Sequence, residues 1–158
     1  MSWPVPVQWS SGRAAINVVP DAIFGLRLER QDEKPMQSYV FLEIDRGAMT
    51  ILPAEQVRDS EAFLYRATVL RKFLSYAESW RQSLHKVQFN ISAACVVTLT
   101  TSTARVAAMQ KAAHDLVVKP LRLPAHIFLF GIQTTLADPF GIDFEDAAGH
   151  RVRLLPAH

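Results

Sequence analysis

The chain has 158 residues, which predicts a single domain large enough to bury a hydrophobic core. Hydrophobic residues make up 49% of the sequence and charged residues 20%, and this balance excludes a disordered or fibrous protein. The formal net charge is only +2, which is too small for overall charge to identify a nucleic-acid-binding protein. No apolar stretch is long enough to cross a bilayer and no secretory signal is visible, so we expect no membrane partner and a cytoplasmic location.

The first half of the chain predicts an irregular segment, two strands and a helix. Residues 1–16 contain two prolines, two tryptophans and a Ser-Ser-Gly break, which indicates an irregular N-terminal segment or an edge strand that packs its aromatic residues onto the body. Strands are predicted near residues 17–29 and 38–46, joined by a polar hairpin loop at residues 31–37. After Gly47 the apolar residues recur at helical spacing, which predicts an amphipathic helix that is N-capped by Asp59 or Ser60 and ends near residue 82.

The second half repeats a strand and a helix and then ends in strands. The segment ISAACVVTLTT is almost continuously apolar, as a central strand covered on both faces would be. Thr101 or Ser102 caps the next predicted helix, and HIFLFGIQTTL forms another strand. A turn at Ala148-Gly149 predicts a C-terminal hairpin within residues 138–158. The order ββαβαβ predicts an α/β (α+β) fold, a single mixed sheet flanked by helices, with residues 1–158 as one domain.

Two short acidic signatures lie on the two adjacent predicted strands near the N-terminus. They are Pro20-Asp21 and Glu43-Ile44-Asp45. Glu43 and Asp45 share one face of their strand, because successive side chains of a strand point to opposite faces. Folding the hairpin about residue 33 or 34 brings Asp21 opposite the Asp45 region.

Three carboxylates at one spot repel one another unless a cation neutralises them or one of them holds a proton. The pattern therefore predicts a Mg²⁺ or Mn²⁺ site with Asp21, Glu43 and Asp45 as ligands, which is the chemistry of a metal-dependent nuclease. The alternative, which the spacing leaves open, is a set of solvated acids at strand ends, with Arg46 pairing locally. The five histidines have no paired metal-ligand spacing, and neither GxSxG nor a Gly-rich phosphate loop is present.

The predicted helix before residue 82 carries a lysine and a tyrosine on one face. Lys72 and Tyr76 are spaced i and i+4, so both can reach the sheet edge that holds the acids. There Lys72 would stabilise the charge that develops on a phosphoryl group. The alternative is an exposed Lys72 with Tyr76 at the boundary of the core. Basic residues such as Arg71 on this helix predict either phosphate contacts or a solvated face with pairs such as Arg71 and Glu78.

Four strings of the sequence carry a resemblance to a known family. They are VVPDAIFGL, YVFLEIDRGAMTI, LRKFLSYAESW and VVTLTTSTARVAAM, and together they resemble the replication-relaxation family of bacterial plasmid and mobile-element proteins. The resemblance runs from about residue 18 to residue 136. Its most specific element is Asp21 in a PDA context followed by LEIDRG, and Lys72, Tyr76 and Arg105 also fall at positions where similar sequences have these residues.

The resemblance implies a DNA-related role in plasmid replication or in relaxation of plasmid DNA. It also implies a core similar to the PD-(D/E)XK nuclease fold, in which an aspartate and an acidic residue on adjacent strands bind the metal. The DNA-binding residues expected on this basis are Arg46, Arg71, Lys72, Tyr76 and Arg105. Two departures stand out: Asp45 replaces the lysine that ends the nuclease triplet, so Lys72 would have to substitute for it, and residues 1–16 are too short for the winged-helix segment common in this family.

Three hypotheses follow from the sequence. The first is a metal-dependent nuclease or nickase-like module that uses Asp21, Glu43, Asp45 and Lys72. The second is a non-catalytic DNA-binding or relaxosome accessory scaffold, with its acids held in local pairs to Arg46 and Arg71. The third is a protein-interaction domain that forms a homodimer through an exposed strand or through the aromatic N-terminal segment. The sequence alone does not decide among them.

Overall fold

The computed structural model describes residues 1–10, 12–28, 36–91, 93–134 and 143–154. Its strands are β1 (Trp3–Trp9), β2 (Gly12–Val18), β3 (Ala22–Leu28), β4 (Met36–Ile44), β5 (Ala94–Thr100), β6 (Phe128–Ile132), β7 (Phe144–Asp146) and β8 (Arg151–Val152). Its α-helices are α1 (Glu55–Arg58), α2 (Val69–Arg81), α3 (Leu84–Phe89), α4 (Thr103–Ala113) and α5 (Lys119–Leu121). Two 3₁₀ turns, Glu61–Tyr65 and Ala125–Ile127, and a π-helical turn, His114–Val118, complete the described elements.

Six strands form a mixed sheet in the order β3-β4-β5-β6-β7-β8. The pairs β3-β4, β6-β7 and β7-β8 are antiparallel, whereas β4-β5 and β5-β6 are parallel. Each parallel step requires a crossover, and helices of the segments 55–89 and 103–121 lie in these crossovers. The predicted mixed α/β class with helices beside a mixed sheet is confirmed.

The expectation of a single sheet is wrong, because β1 and β2 form a separate antiparallel hairpin that packs against α2. Of the two alternatives predicted for residues 1–16, the edge strand is the one observed as β1, and the irregular segment is wrong. Trp3, Val5 and Val7 are buried while the residues between them are exposed, which is the period-two pattern of a strand. Prolines fit this strand because a two-stranded sheet leaves one edge of each strand unpaired. On that outer side Gln82 donates its side-chain amide to the carbonyl of Pro6 at 2.8 Å.

The strand expected at residues 17–29 is divided by Pro20, which has no N–H to donate, so that β2 ends at Val18 and β3 begins at Ala22. The single helix expected up to residue 82 is divided as well. Thr68 has an extended backbone, and its hydroxyl accepts a hydrogen bond from the N–H of Arg71, so α2 begins only after it. Ser102 caps α4 in the same way, as one of the two predicted caps.

The main core lies between the helices and one face of the six-stranded sheet. Phe73 of α2 contacts Phe128 and Phe130 of β6, with ring centroids 5.3 and 5.6 Å apart. The hairpin adds Trp3, which packs on Phe41 and donates its indole N–H to the hydroxyl of Ser79 on α2. This bond fixes the hairpin on the helix layer, since a buried indole N–H needs an acceptor.

The opposite face of the sheet carries a second apolar cluster formed by Val40, Val97, Leu99, Leu129 and Phe144. The predicted C-terminal hairpin is present as β7 and β8, with Gly149 at a φ of +83° in the turn between them. Residues 138–142 and 155–158 of its predicted range, and residues 31–35 of the predicted hairpin loop, lie outside the described residues. Across the described ranges, no helix has both the length and the apolar character needed to span a membrane.

We expect Trp3→Ala to lower the free energy of unfolding by about 3 to 5 kcal/mol, because it leaves a cavity and removes the hydrogen-bond donor of the buried Ser79 hydroxyl. Urea denaturation followed by circular dichroism measures this loss. Tyr65→Ala is the matched control, since this aromatic side chain is 67% exposed. Equal loss in the two variants would contradict the placement of the hairpin in the core.

Candidate functional site

The candidate site lies where β4 and β5, two parallel neighbours, reach their carboxyl ends. Glu43 pairs with Thr98 in the ladder, and the N–H of Asp45 donates to the carbonyl of Leu99 at 2.8 Å. The ends of parallel strands meet at one edge of a sheet, and helices that follow them present side chains to the same edge. Here α2 supplies Lys72 and Tyr76, and α4 supplies Arg105.

Glu43 is buried and is held by both predicted residues of α2. The Tyr76 hydroxyl donates to Oε1 at 2.6 Å, and the Lys72 ammonium donates to Oε2 at 2.5 Å. The side chain of Glu43 is 7% exposed and that of Lys72 is 40% exposed, so the ammonium lies at the boundary with solvent. Burial and the adjacent Glu43 carboxylate raise the pKa of Tyr76, which keeps its proton in place to donate.

Asp45 has a different set of donors. Arg105 binds it in a bidentate manner, with Nη2 2.9 Å from Oδ1 and Nε on Oδ2, and the Thr100 hydroxyl donates to Oδ2 at 2.6 Å. The N–H of Gly47 completes the set at 3.2 Å. Burial acts to raise the pKa of Asp45, but the hydrogen bonds from Arg105 and Thr100 and the guanidinium charge outweigh it and lower that pKa.

The local pairs expected for these acids are wrong. Arg71 donates to the carbonyl of Leu64 at 2.8 Å instead of pairing with an acid of the site. Nor does it pair with Glu78, whose carboxylate accepts from Arg81 and Gln82. Arg46 is exposed, and its side chain forms no hydrogen bond or ion pair with the described residues. The acids turn to α2 and α4 because these helices reach the carboxyl edge of the sheet, whereas Arg46 points to solvent.

Asp21 lies beside the segment from Glu43 to Asp45, as folding of the hairpin requires. The register pairs Ala22 with Leu42, and the Asp21 Oδ2 atom accepts the N–H of Ile44 at 2.7 Å. Asp21 is exposed, unlike the other two acids. Its contact is therefore with the backbone of β4 at the solvent boundary.

Protein donors engage Glu43 and Asp45, and a divalent cation would have to compete with these donors. Both oxygens of Glu43 and both oxygens of Asp45 already accept from protein donors, and each of these two acids has its own cationic partner, whereas Asp21 accepts the N–H of Ile44. Throughout the part of the chain that the structure describes, no group of three or more His, Cys, Asp or Glu side chains is arranged to hold a metal. The carboxylate repulsion that suggested a metal is relieved by Lys72 and Arg105 instead.

A cavity of about 210 Å³ opens beside these pairs. Met49, Val69 and Phe73 form part of its apolar wall, and Arg46 and Lys72 are its cationic lining residues. Pairing Glu43 with Lys72 and Asp45 with Arg105 leaves Arg46 as the lining cation outside these two ion pairs, and the exposed carboxylate of Asp21 lies nearby, close enough to act on Tyr76. The accessible guanidinium of Arg46 and the ammonium of Lys72 can bind an anionic group by charge-assisted hydrogen bonds.

The sequence indicated Asp21, Glu43, Asp45, Lys72, Tyr76 and Arg105, and the structure brings them to one edge of the sheet. It also adds Thr100, which sequence reasoning missed. Thr98 and Thr100 alternate with apolar residues at the end of β5, and this polar alternation was the available signal. Comparison with known proteins gives no support for an identity: no family model, no curated protein and no solved structure matches the chain.

We expect Arg105→Met to lower the free energy of unfolding at pH 7 by about 2 to 5 kcal/mol, because the partly buried carboxylate of Asp45 loses its cation. The pKa of Asp45 is depressed in the folded protein, so its stabilising effect is present above the unfolded pKa and is lost as the pH falls through the folded pKa. The difference between the variant and the original protein should therefore shrink in acid.

Urea unfolding between pH 7 and pH 2.5 measures this dependence. Arg66→Met is the control, because Arg66 is exposed. A difference between Arg105→Met and the original protein that stays constant with pH would show that Arg105 does not act through the Asp45 charge.

Proposed function

We propose that this chain is a DNA-associated protein of plasmid or mobile-element replication or relaxation, and that it acts as a non-catalytic binding or accessory scaffold. The proposal of a non-catalytic role is supported by the neutralisation of two of the acids by side chains of the protein itself. Glu43 is taken by Lys72 and Tyr76, and Asp45 is taken by Arg105. A divalent ion bound here would have to compete with these donors for the carboxylate oxygens of Glu43 and Asp45.

The DNA-related part of the proposal is supported by the resemblance to replication-relaxation proteins. The acids on the adjacent strands β3 and β4 are also compatible with a PD-(D/E)XK-like core, which we propose as the ancestry of the scaffold. In this interpretation the nuclease framework is retained, while its acids serve as structural ion pairs. Asp45 in place of the triplet lysine is consistent with a lost activity.

Of the five DNA-binding residues expected from the sequence, only those with accessible charged groups can contact phosphates. Arg46 is exposed, and the half-exposed Lys72 keeps ammonium protons beyond the one donated to Glu43. Tyr76 is buried on Glu43, and Arg105 is committed to Asp45 and the carbonyl of Met49. We therefore propose Arg46 and Lys72 as the phosphate contacts at this end of the sheet. Arg71, which is partly buried and donates to the carbonyl of Leu64, is a secondary candidate.

Two measurements on the purified protein test the proposal. Supercoiled plasmid incubated in Mg²⁺ or Mn²⁺ should be retarded on a gel but not nicked or linearised. Fluorescence anisotropy with a labelled duplex at several salt concentrations should give an affinity that falls as salt rises, because bound phosphates release counterions. Arg46→Ala should weaken binding on all sequences and reduce the salt slope by about one.

Arg151→Ala is the matched control for the binding assay, since Arg151 is an exposed arginine on β8, the outermost strand on the side of the sheet opposite β3. Glu43→Gln with a chelator arm is the control for cleavage. Metal-dependent nicking that disappears in Glu43→Gln would replace the scaffold with a nuclease. Absence of DNA binding at low salt would overturn the DNA-related role itself.

A further inference from the structure

The outer strand β3 has an open edge. Within the described ranges its strand neighbour is β4, on one side only. Ala22 and Gly25 are exposed, and among the described strands none pairs with this outer edge. Alternate N–H and C=O groups of an edge strand point away from its neighbour and are free to pair with another strand.

Apart from the charge of Arg27, this edge lacks the devices that normally prevent strands from associating. The sequence AIFGLRL contains no proline and no lysine, and its ladder with β4 runs without a bulge from Ala22 and Leu42 to Leu28 and Met36. The opposite edge of the same sheet differs. There β8 has two residues, Arg151 and Val152, and a very short charged edge strand is a common form of protection.

The strand is also complementary to itself. If two copies pair antiparallel about Gly25, Phe24 of one copy lies opposite Leu26 of the other, and Ile23 lies opposite Arg27. The axis then passes through a residue without a side chain. The two Arg27 residues are separated by four positions, about 13 Å at the usual rise of a strand, which exceeds the screening length at physiological salt. Like charges therefore do not oppose the pairing.

Apolar surface supplies a driving force beyond main-chain hydrogen bonds. Phe24 and Leu26 are half-buried at the margin of the cluster that contains Val40 and Val97. Pairing about Gly25 would place these side chains next to the same pair from the other copy and would remove their remaining apolar surface from water. The aromatic N-terminal segment does not offer such a surface, because Trp3 is buried against Phe41.

We propose that β3 is a homodimer interface, in which two copies of the chain pair antiparallel about a two-fold axis at Gly25 and form one sheet that runs through both. A second copy is the occupant that satisfies the self-complementary pattern, and a two-fold contact closes so that no further copies add. The interface is separate from the carboxyl edge of β4 and does not depend on DNA.

Sedimentation velocity over a range of protein concentrations tests the proposal. The original protein should form a dimer as concentration rises, and Leu26→Lys should raise the dimer Kd by about tenfold or more, because an unpaired ammonium would have to be buried at the interface. Val87→Lys is the matched control, since Val87 is 79% exposed on α3. Circular dichroism establishes that each variant is folded.

Disulfide formation tests the register without relying on Leu26→Lys. Cys95 is the single cysteine of the sequence and is replaced by serine for this test. In that background, Ile23→Cys mixed with Arg27→Cys should give a cross-linked pair on oxidation, whereas neither variant alone should, because directly opposed residues lie within disulfide reach. A monomer at every concentration, a Leu26→Lys dimer as tight as the original, or a monomer that associates only with a different protein would overturn the proposal. A dimer without the mixed cross-link would overturn its register.

Discussion

The buried carboxylate of Glu43 is the constraint on which the arrangement of α2 depends. A carboxylate removed from water costs several kcal/mol unless it gains a cation and hydrogen bonds. Lys72 and Tyr76 provide both from one face of α2, one oxygen each. Two donors one turn apart that meet a single carboxylate fix the rotation of the helix and its position along β4. The Phe73 contacts with β6 then follow, because Phe73 lies between these two donors in sequence.

A second ion pair performs the same task for α4. Arg105 is the third residue of this helix, near the positive end of its dipole, where a guanidinium is unfavourable unless an anion compensates it. Asp45 is that anion, and the carbonyl of Met49 accepts a further bond from Arg105. The chain after β4 is thereby tied to the start of α4. The two ion pairs together join both crossover helices to the same end of the sheet, and the cavity forms between them.

Patterns along the chain predicted the mixed α/β class and the face of α2 that carries Lys72 and Tyr76, because both depend on local periodicity. The partners of the acids could not be predicted in the same way. Asp45 and Arg105 are 60 residues apart, and which of several arginines reaches Asp45 depends on how the helices cross the sheet. The N-terminal prolines left an irregular segment and an edge strand as alternatives for a related reason, since a proline disrupts a strand only where its N–H is needed. That need depends on which strand lies beside it.

The same pattern of acids can bind a metal or form internal ion pairs, and the outcome depends on whether the cationic side chains lie on the strand or on the neighbouring helices. In the PD-(D/E)XK triplet the lysine lies on the strand, and the acids remain free for the ion. A lysine at position 45 of this chain would instead face the guanidinium of Arg105, a like charge at a helix N-terminus. Asp45 and Arg105 therefore require each other, and Lys72 supplies the other cation from α2. With both cations on helices, the carboxylates of Glu43 and Asp45 are each satisfied from within the protein, and the two ion pairs join the helices to the sheet.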